Sequence, residues 1–165
     1  MLQSLVNKVV SGESVTDNQL LDVLKEELKD LGSAVKVEFY RKVLEGKKPE
    51  SAVFLIKNDR VGVERAIATA EAQTPSIIFK MQEQKVVVEI LSGFNQNILK
   101  VTSKNGLEEN ILHNAIQKRW KDCINLIISQ ENRDFRNMLF EENLSGNTPI
   151  MTILSQEMQE TAILM

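Results

Sequence analysis

Apolar side chains recur at helical spacing from the first residues of the chain. Leu2, Leu5, Val6, Val9 and Val10 fall on one face of a predicted amphipathic helix, which Ser11-Gly12 ends. Thr16 and Gln19 have the spacing of a capping box. They predict a second helix with Leu20, Leu21, Val23, Leu24, Leu28 and Leu31 on its broad apolar face, and Gly32 as a left-handed stop. Ser33 is the expected cap of a third helix, burying Val35, Phe39, Val43 and Leu44 before Gly46 ends it. The stretch from Gly46 to Glu50 reads as a linker, so residues 1–48 form a predicted N-terminal helical region and residues 49–165 a second region.

That second region is periodic. Thr74-Pro75-Ser76-Ile77, Asn110-Ile111-Leu112-His113 and Thr148-Pro149-Ile150-Met151 each look like a helix start, spaced 36 and 38 residues apart. Apolar quartets follow each start at the same offsets: Val87, Val88, Ile90, Leu91, then Cys123, Ile124, Leu126, Ile127, then Thr161, Ala162, Leu164, Met165. Eleven of these twelve residues are apolar in a chain that is 42% apolar, roughly twice what chance would supply, which favours a repeat. A fainter unit covers Ser51 to Ala70, where Ala52, Phe54, Leu55 and Ile56 precede Val61, Val63, Ala66 and Ile67. The last unit is expected to break off at Thr161–Met165, inside a second helix, and the preferred reading is a fragment of a longer protein. Apolar surface is therefore expected around Met151, Leu154 and Leu164.

Asn143-Leu144-Ser145-Gly146-Asn147-Thr148-Pro149-Ile150 resembles the ankyrin repeat, with Asn in place of the usual Asp. Asn110-Ile111-Leu112-His113-Asn114-Ala115 is similar to the Leu-His-x-Ala part of that motif, and Thr74-Pro75 to its Thr-Pro alone. The physical roles agree with the resemblance. Thr caps orphan amides, Pro at the first helical position has no donor to leave unpaired, and small Ala115 permits close helix packing. The resemblance implies an all-α fold: N-terminal helices followed by stacked helix-turn-helix repeats in an α-solenoid. It also implies a structural role for His113, bridging neighbouring loops through both ring nitrogens. The Lys-, Asn- and Ile-rich background is similar to that of divergent repeat proteins of intracellular bacteria and their effectors, which implies a host-protein partner.

Composition narrows the function classes. The 165 residues carry a net charge of −3 with no long single-sign block, and Lys118, Arg119 and Lys121 are too few to serve as a phosphate-binding surface. No nucleic-acid partner is expected. No apolar run approaches the length of a membrane span or a signal peptide, so no membrane partner is expected and the cytoplasm is the default, or the host cytosol for a secreted effector. Cys123 is the single cysteine, which excludes an intrachain disulfide and a thiolate zinc site.

Candidate chemistry is sparse. His113 is the only histidine, and residues 1–73 hold neither His nor Cys. A Cys123–His113 nucleophilic pair would need sulfur and ring within hydrogen-bond reach, which no sequence feature calls for. Glu26-Glu27, Glu108-Glu109 and Glu141-Glu142 are adjacent pairs whose side chains diverge on a helix, so they make no acid–base dyad. No catalytic residues, metal site or cofactor are expected. The expected function is a protein–protein interaction scaffold, with Asn114, Gln117, Lys118 and Trp120 as the candidate partner-binding surface. The only tryptophan either anchors a partner or packs across a helix end. The alternatives are a targeting fragment of a larger effector enzyme and an oligomerisation module using the C-terminal end.

Overall fold

The computed structural model describes residues 1–71, 77–93, 105–129 and 137–164. Among these, all regular structure is helical: α1 (Leu2–Ser11), α2 (Asp17–Glu27), α3 (Ser33–Glu45), α4 (Pro49–Asn58), α5 (Arg60–Glu71), α6 (Gln84–Gly93), α7 (Ile111–Gln117), α8 (Lys121–Ser129) and α9 (Pro149–Leu164). Short 3-10 turns occupy Leu28–Asp30, Ile77–Lys80 and Met138–Phe140. No described helix is long and apolar enough to cross a membrane.

The helices pack in two rows. In one row α1 lies against α3, and α3 against α5; the 3-10 turn at Ile77–Lys80 touches both α5 and α7, and α7 packs on α9. In the other, α2 lies against α4, α4 against α6 and α6 against α8. The helices of this second row begin at Asp17, Pro49, Gln84 and Lys121, at intervals of 32, 35 and 37 residues. One continuous apolar core runs between the rows, from Leu2 and Leu5 through Phe39, Leu44 and Leu55 to Ile90, Leu112 and Ile127. Most of these helices are too short to be stable in water alone, so this shared core holds the assembly.

Polar side chains tie successive helices of the second row together at their N-terminal ends. The Asp17 carboxylate, at the start of α2, accepts from the Glu50 and Ser51 amides of α4, both at 2.9 Å, and from the Ser51 hydroxyl at 2.6 Å. Gln84, at the start of α6, accepts from the Asp122 and Cys123 amides of α8 at 3.0 and 3.2 Å. Glu50 and Lys85 pair at 2.6 Å between α4 and α6. Amides in the first turn of a helix have no intrahelical partner, so here each is satisfied from the helix before it.

A second node joins α3 to α5. Asp59 accepts from the Tyr40 hydroxyl at 2.6 Å, from the Gly62 amide at 3.2 Å and from Lys36 at 2.8 Å. Burial opposes charge on Asp59, but the hydrogen bonds from Lys36, Tyr40 and the Gly62 amide outweigh it and hold its carboxyl below the usual range. The same burial and the Asp59 carboxylate push the Tyr40 phenol well above its ordinary value.

Several sequence expectations need correction. Gly32 is not a left-handed stop: its φ is −67°, because α2 closes through the Leu28–Asp30 turn with the Leu31 amide on the Leu28 carbonyl. Gly32 instead precedes α3, and Ser33, already its first helical residue, makes no capping bond. Val35 is exposed because it borders an open cleft between α1 and α3, beside Val6 and Val10, whereas Tyr40, which the pattern missed, is fully buried. Val61 is 69% exposed, on the face of α5 away from Val63, Ala66 and Ile67. The separate second helix expected at Thr161–Met165 does not form. α9 runs unbroken from Pro149 to Leu164, since nothing between them is a Gly, a Pro or another strong helix breaker. Thr74-Pro75 lies outside the described residues, as do the side chains of Thr161, Ala162, Leu164 and Met165.

Candidate interaction surface

The segments that lead into α7 and α9 fold alike, 38 residues apart. Asn105 donates its amide to the Glu109 carbonyl at 3.0 Å, and Asn143 to that of Asn147 at 2.9 Å. Each Asn side chain then accepts two amides of its own turn, those of Leu107 and Glu109 in the first and of Ser145 and Asn147 in the second. An Asn oxygen can substitute for a backbone carbonyl in this way, which accounts for Asn opening both turns. The third residue after each Asn takes a left-handed conformation, Glu108 at φ 58° and Gly146 at φ 78°. A capping side chain follows: Asn110 accepts from the His113 amide at 3.0 Å and Thr148 from the Met151 amide at 3.2 Å.

The two units are stitched directly to each other. The Leu144 amide donates to the Leu107 carbonyl at 3.0 Å, linking the turn tips. The Asn110 amide nitrogen donates to the Met138 carbonyl and to Glu141, each at 3.0 Å. His113 receives the Asn110 backbone N–H on Nδ1 at 3.1 Å and lies 3.1 Å from the Asn147 carbonyl through Nε2. Acceptance at Nδ1 places the ring proton on Nε2, which donates to Asn147. Both ring nitrogens therefore bridge main-chain groups, and the imidazole is not presented to Cys123 as a base. The buried Cys123 thiol is pushed up to about 12 by desolvation, only partly offset by the Lys118 charge.

The candidate partner-binding residues occupy two places. Asn114 and Gln117 lie on α7, Asn114 half-buried and Gln117 exposed, with the Gln117 amide donating to Glu109. Lys118 and Trp120 lie together in the turn after α7. This turn closes with the Arg119 amide on the Ile116 carbonyl and the Trp120 amide on that of Ala115, both at 3.0 Å. The Lys118 ammonium sits 4.5 Å from the centre of the Trp120 ring and donates to the Met81 carbonyl at 3.0 Å. Partial burial lowers its pKa. Trp120 is partly buried and packs against the core, so its ring lies across the helix end with its outer face under Lys118.

Glu108-Glu109 and Glu141-Glu142 lie in turns and not on helices; Glu109 is buried against Asn105 and Gln117, and Glu141 is tied to Asn110. The sequence did not single out Asn105 or Gln84 for these roles, although the matching Asn105 and Asn143 positions carried a usable signal. No protein family, curated protein or solved structure matches this chain.

Proposed function

We propose that the chain is a protein-recognition scaffold of ankyrin-like repeats with no chemistry of its own. The observation that carries this reading is the equivalence of the Asn105–Asn110 and Asn143–Thr148 turns, joined through Leu107–Leu144 and His113–Asn147. A turn-and-helix unit whose buried hydrogen bonds are completed by the next unit is built for stacking, and stacked units present an extended surface to a partner. The regular starts of α2, α4, α6 and α8 support extending the same repeat across the N-terminal helices. On this reading Lys118 and Trp120 form a partner-facing spot: an aromatic face held by core packing, with a cation already over it.

Affinity capture from a cell lysate tests the proposal, using the natural chain and a Trp120→Ala/Lys118→Glu variant. A specific protein recovered with the natural chain and lost with the variant supports both the scaffold and its surface. Equal recovery removes the surface, and no specific recovery with either removes the scaffold reading.

A further inference from the structure

Three turns carry the chain from the first row of helices to the second: residues 46–48 before α4, 81–83 before α6 and 118–120 before α8. Side chains join the second turn to the first and the third to the second. The Gln82 amide donates to the Glu45 carbonyl at 3.0 Å, and the Lys118 ammonium to the Met81 carbonyl at 3.0 Å. The turns therefore form one continuous edge. That edge holds Lys47, Lys48, Lys80, Lys118, Arg119 and Lys121, all exposed except the half-buried Lys48. None of these cations joins an ion pair among the described residues. Of the four carboxylates in residues 45–50, 80–84 and 118–122, Glu45 is paired with Arg41 and Glu50 with Lys85, which leaves Glu83 and Asp122. The rest of the chain has the opposite sign, with 14 Lys or Arg against 19 Asp or Glu.

We infer that this basic edge docks an acidic, extended segment of a partner protein. The assignment rests on the scaffold reading and carries its Lys118–Trp120 spot along the array to Lys80 and Lys47. Packed neighbouring helices lie about 8–10 Å apart, so three successive turns span about 16–20 Å. An extended segment covers that span in about six residues. Its carboxylates would meet cations that have no carboxylate of their own, and a basic segment would meet like charge. Trp120, its ring held by the core, adds one apolar contact at the end of the track. A nucleic acid is disfavoured, because Glu83 and Asp122 interrupt the cations and Trp120 is the single aromatic ring in these turns on which a base could stack. A lipid surface is disfavoured too, since none of the large exposed apolar side chains among the described residues lies at these turns.

The test uses the full chain and fluorescein-labelled octaglutamate, triglutamate and octalysine, in about 0.1 M salt, where charges more than about 10 Å apart are largely screened. Octaglutamate is expected to bind and octalysine is not. Triglutamate, too short to reach all three turns, should bind at least about tenfold more weakly than octaglutamate. Lys47→Glu/Lys80→Glu leaves the Trp120 turn untouched and should weaken octaglutamate binding about tenfold. Lys25→Glu/Lys29→Glu makes the same change in net charge at the far end of α2, and should shift binding less than about twofold. All four lysines are exposed, and an unchanged circular dichroism spectrum confirms that both variants are folded. Undiminished binding by Lys47→Glu/Lys80→Glu, an equal loss in the two variants, or equal binding of the two glutamate peptides overturns the assignment. So does a failure of octaglutamate to bind, or to bind better than octalysine. Tighter binding of an eight-nucleotide single strand or of phosphatidylserine vesicles than of octaglutamate overturns the choice of a protein segment. Each of these leaves the scaffold reading to its own capture experiment.

Discussion

Glu108 and Gly146 occupy the same left-handed position in two matching turns, yet only one of them is the residue that tolerates it without strain. A side chain in this region costs about 1–2 kcal/mol relative to glycine. Gly146→Ala should therefore lower stability by about 1 kcal/mol, measured by urea unfolding, although no atom lies within 4 Å of the added methyl group. Steric crowding cannot then explain the loss, and an unchanged midpoint would show that the turn adopts another conformation.

Arg119 provides the reverse case. It holds φ 57° at an exposed position where the end of α1 has Gly12 at φ 84°. Arg119→Gly should raise stability by about 0.5–1 kcal/mol, the strain relieved minus the extra freedom glycine has when unfolded. A destabilised variant would mean that the arginine side chain contributes more than its backbone strain removes.

His113 bridges the Asn110 amide and the Asn147 carbonyl at 4% exposure. His113→Ala removes this partner from both groups; the exposed Asn147 carbonyl still accepts from the Asn143 amide, so the loss falls on the buried Asn110 amide and should lower stability by about 1–3 kcal/mol. Amide exchange at Asn110 should accelerate more than at the α2 or α4 amides. A uniform change across the chain would contradict a local bridge.

Asp59 should make the fold acid-sensitive. Its folded pKa is depressed below the ordinary 3.8, so its contribution is complete above that value and is lost as pH falls through the lower folded value. Asp59→Asn removes this contribution and should flatten the part of the acid-unfolding curve below about pH 4. A curve of unchanged shape would assign the acid sensitivity to other carboxylates.

Gly62 lies against the same node. A methyl group there would come within 2.6 Å of an Asp59 carboxylate oxygen and 2.7 Å of the Tyr40 ring. Gly62→Ala should cost about 1–3 kcal/mol, despite alanine's better helix propensity, because the buried Tyr40 ring cannot easily withdraw. Pairing it with Tyr40→Ala should give less than the sum of the two losses, which a double-mutant cycle would measure.

Much of this architecture is legible in the chain. Leu2, Leu5, Val6 and Val9 on α1, and Leu20, Val23 and Leu24 on α2, are buried where their spacing places them, since a helix with one apolar stripe has one face to bury. Thr16 and Thr148 accept the amides expected of them, because capping depends on residues only three apart. Local signals fail where the neighbourhood decides. Val35 continues the stripe of Phe39 and Val43 and is exposed, because α1 leaves an open cleft beside it. Tyr40 is buried because Asp59, nineteen residues away, supplies its hydrogen-bond partner.

By itself, then, the sequence determined the helical class, most of the buried stripes and the two helix starts at Asn110 and Thr148, all set by interactions within one or two turns. Only the tertiary structure decided which helices share a row, which amides Asp17 and Gln84 cap, and that Lys118 lies over Trp120 against the Met81 carbonyl. Those contacts join residues more than thirty positions apart, or place a side chain by packing, and neither is encoded in a helical period.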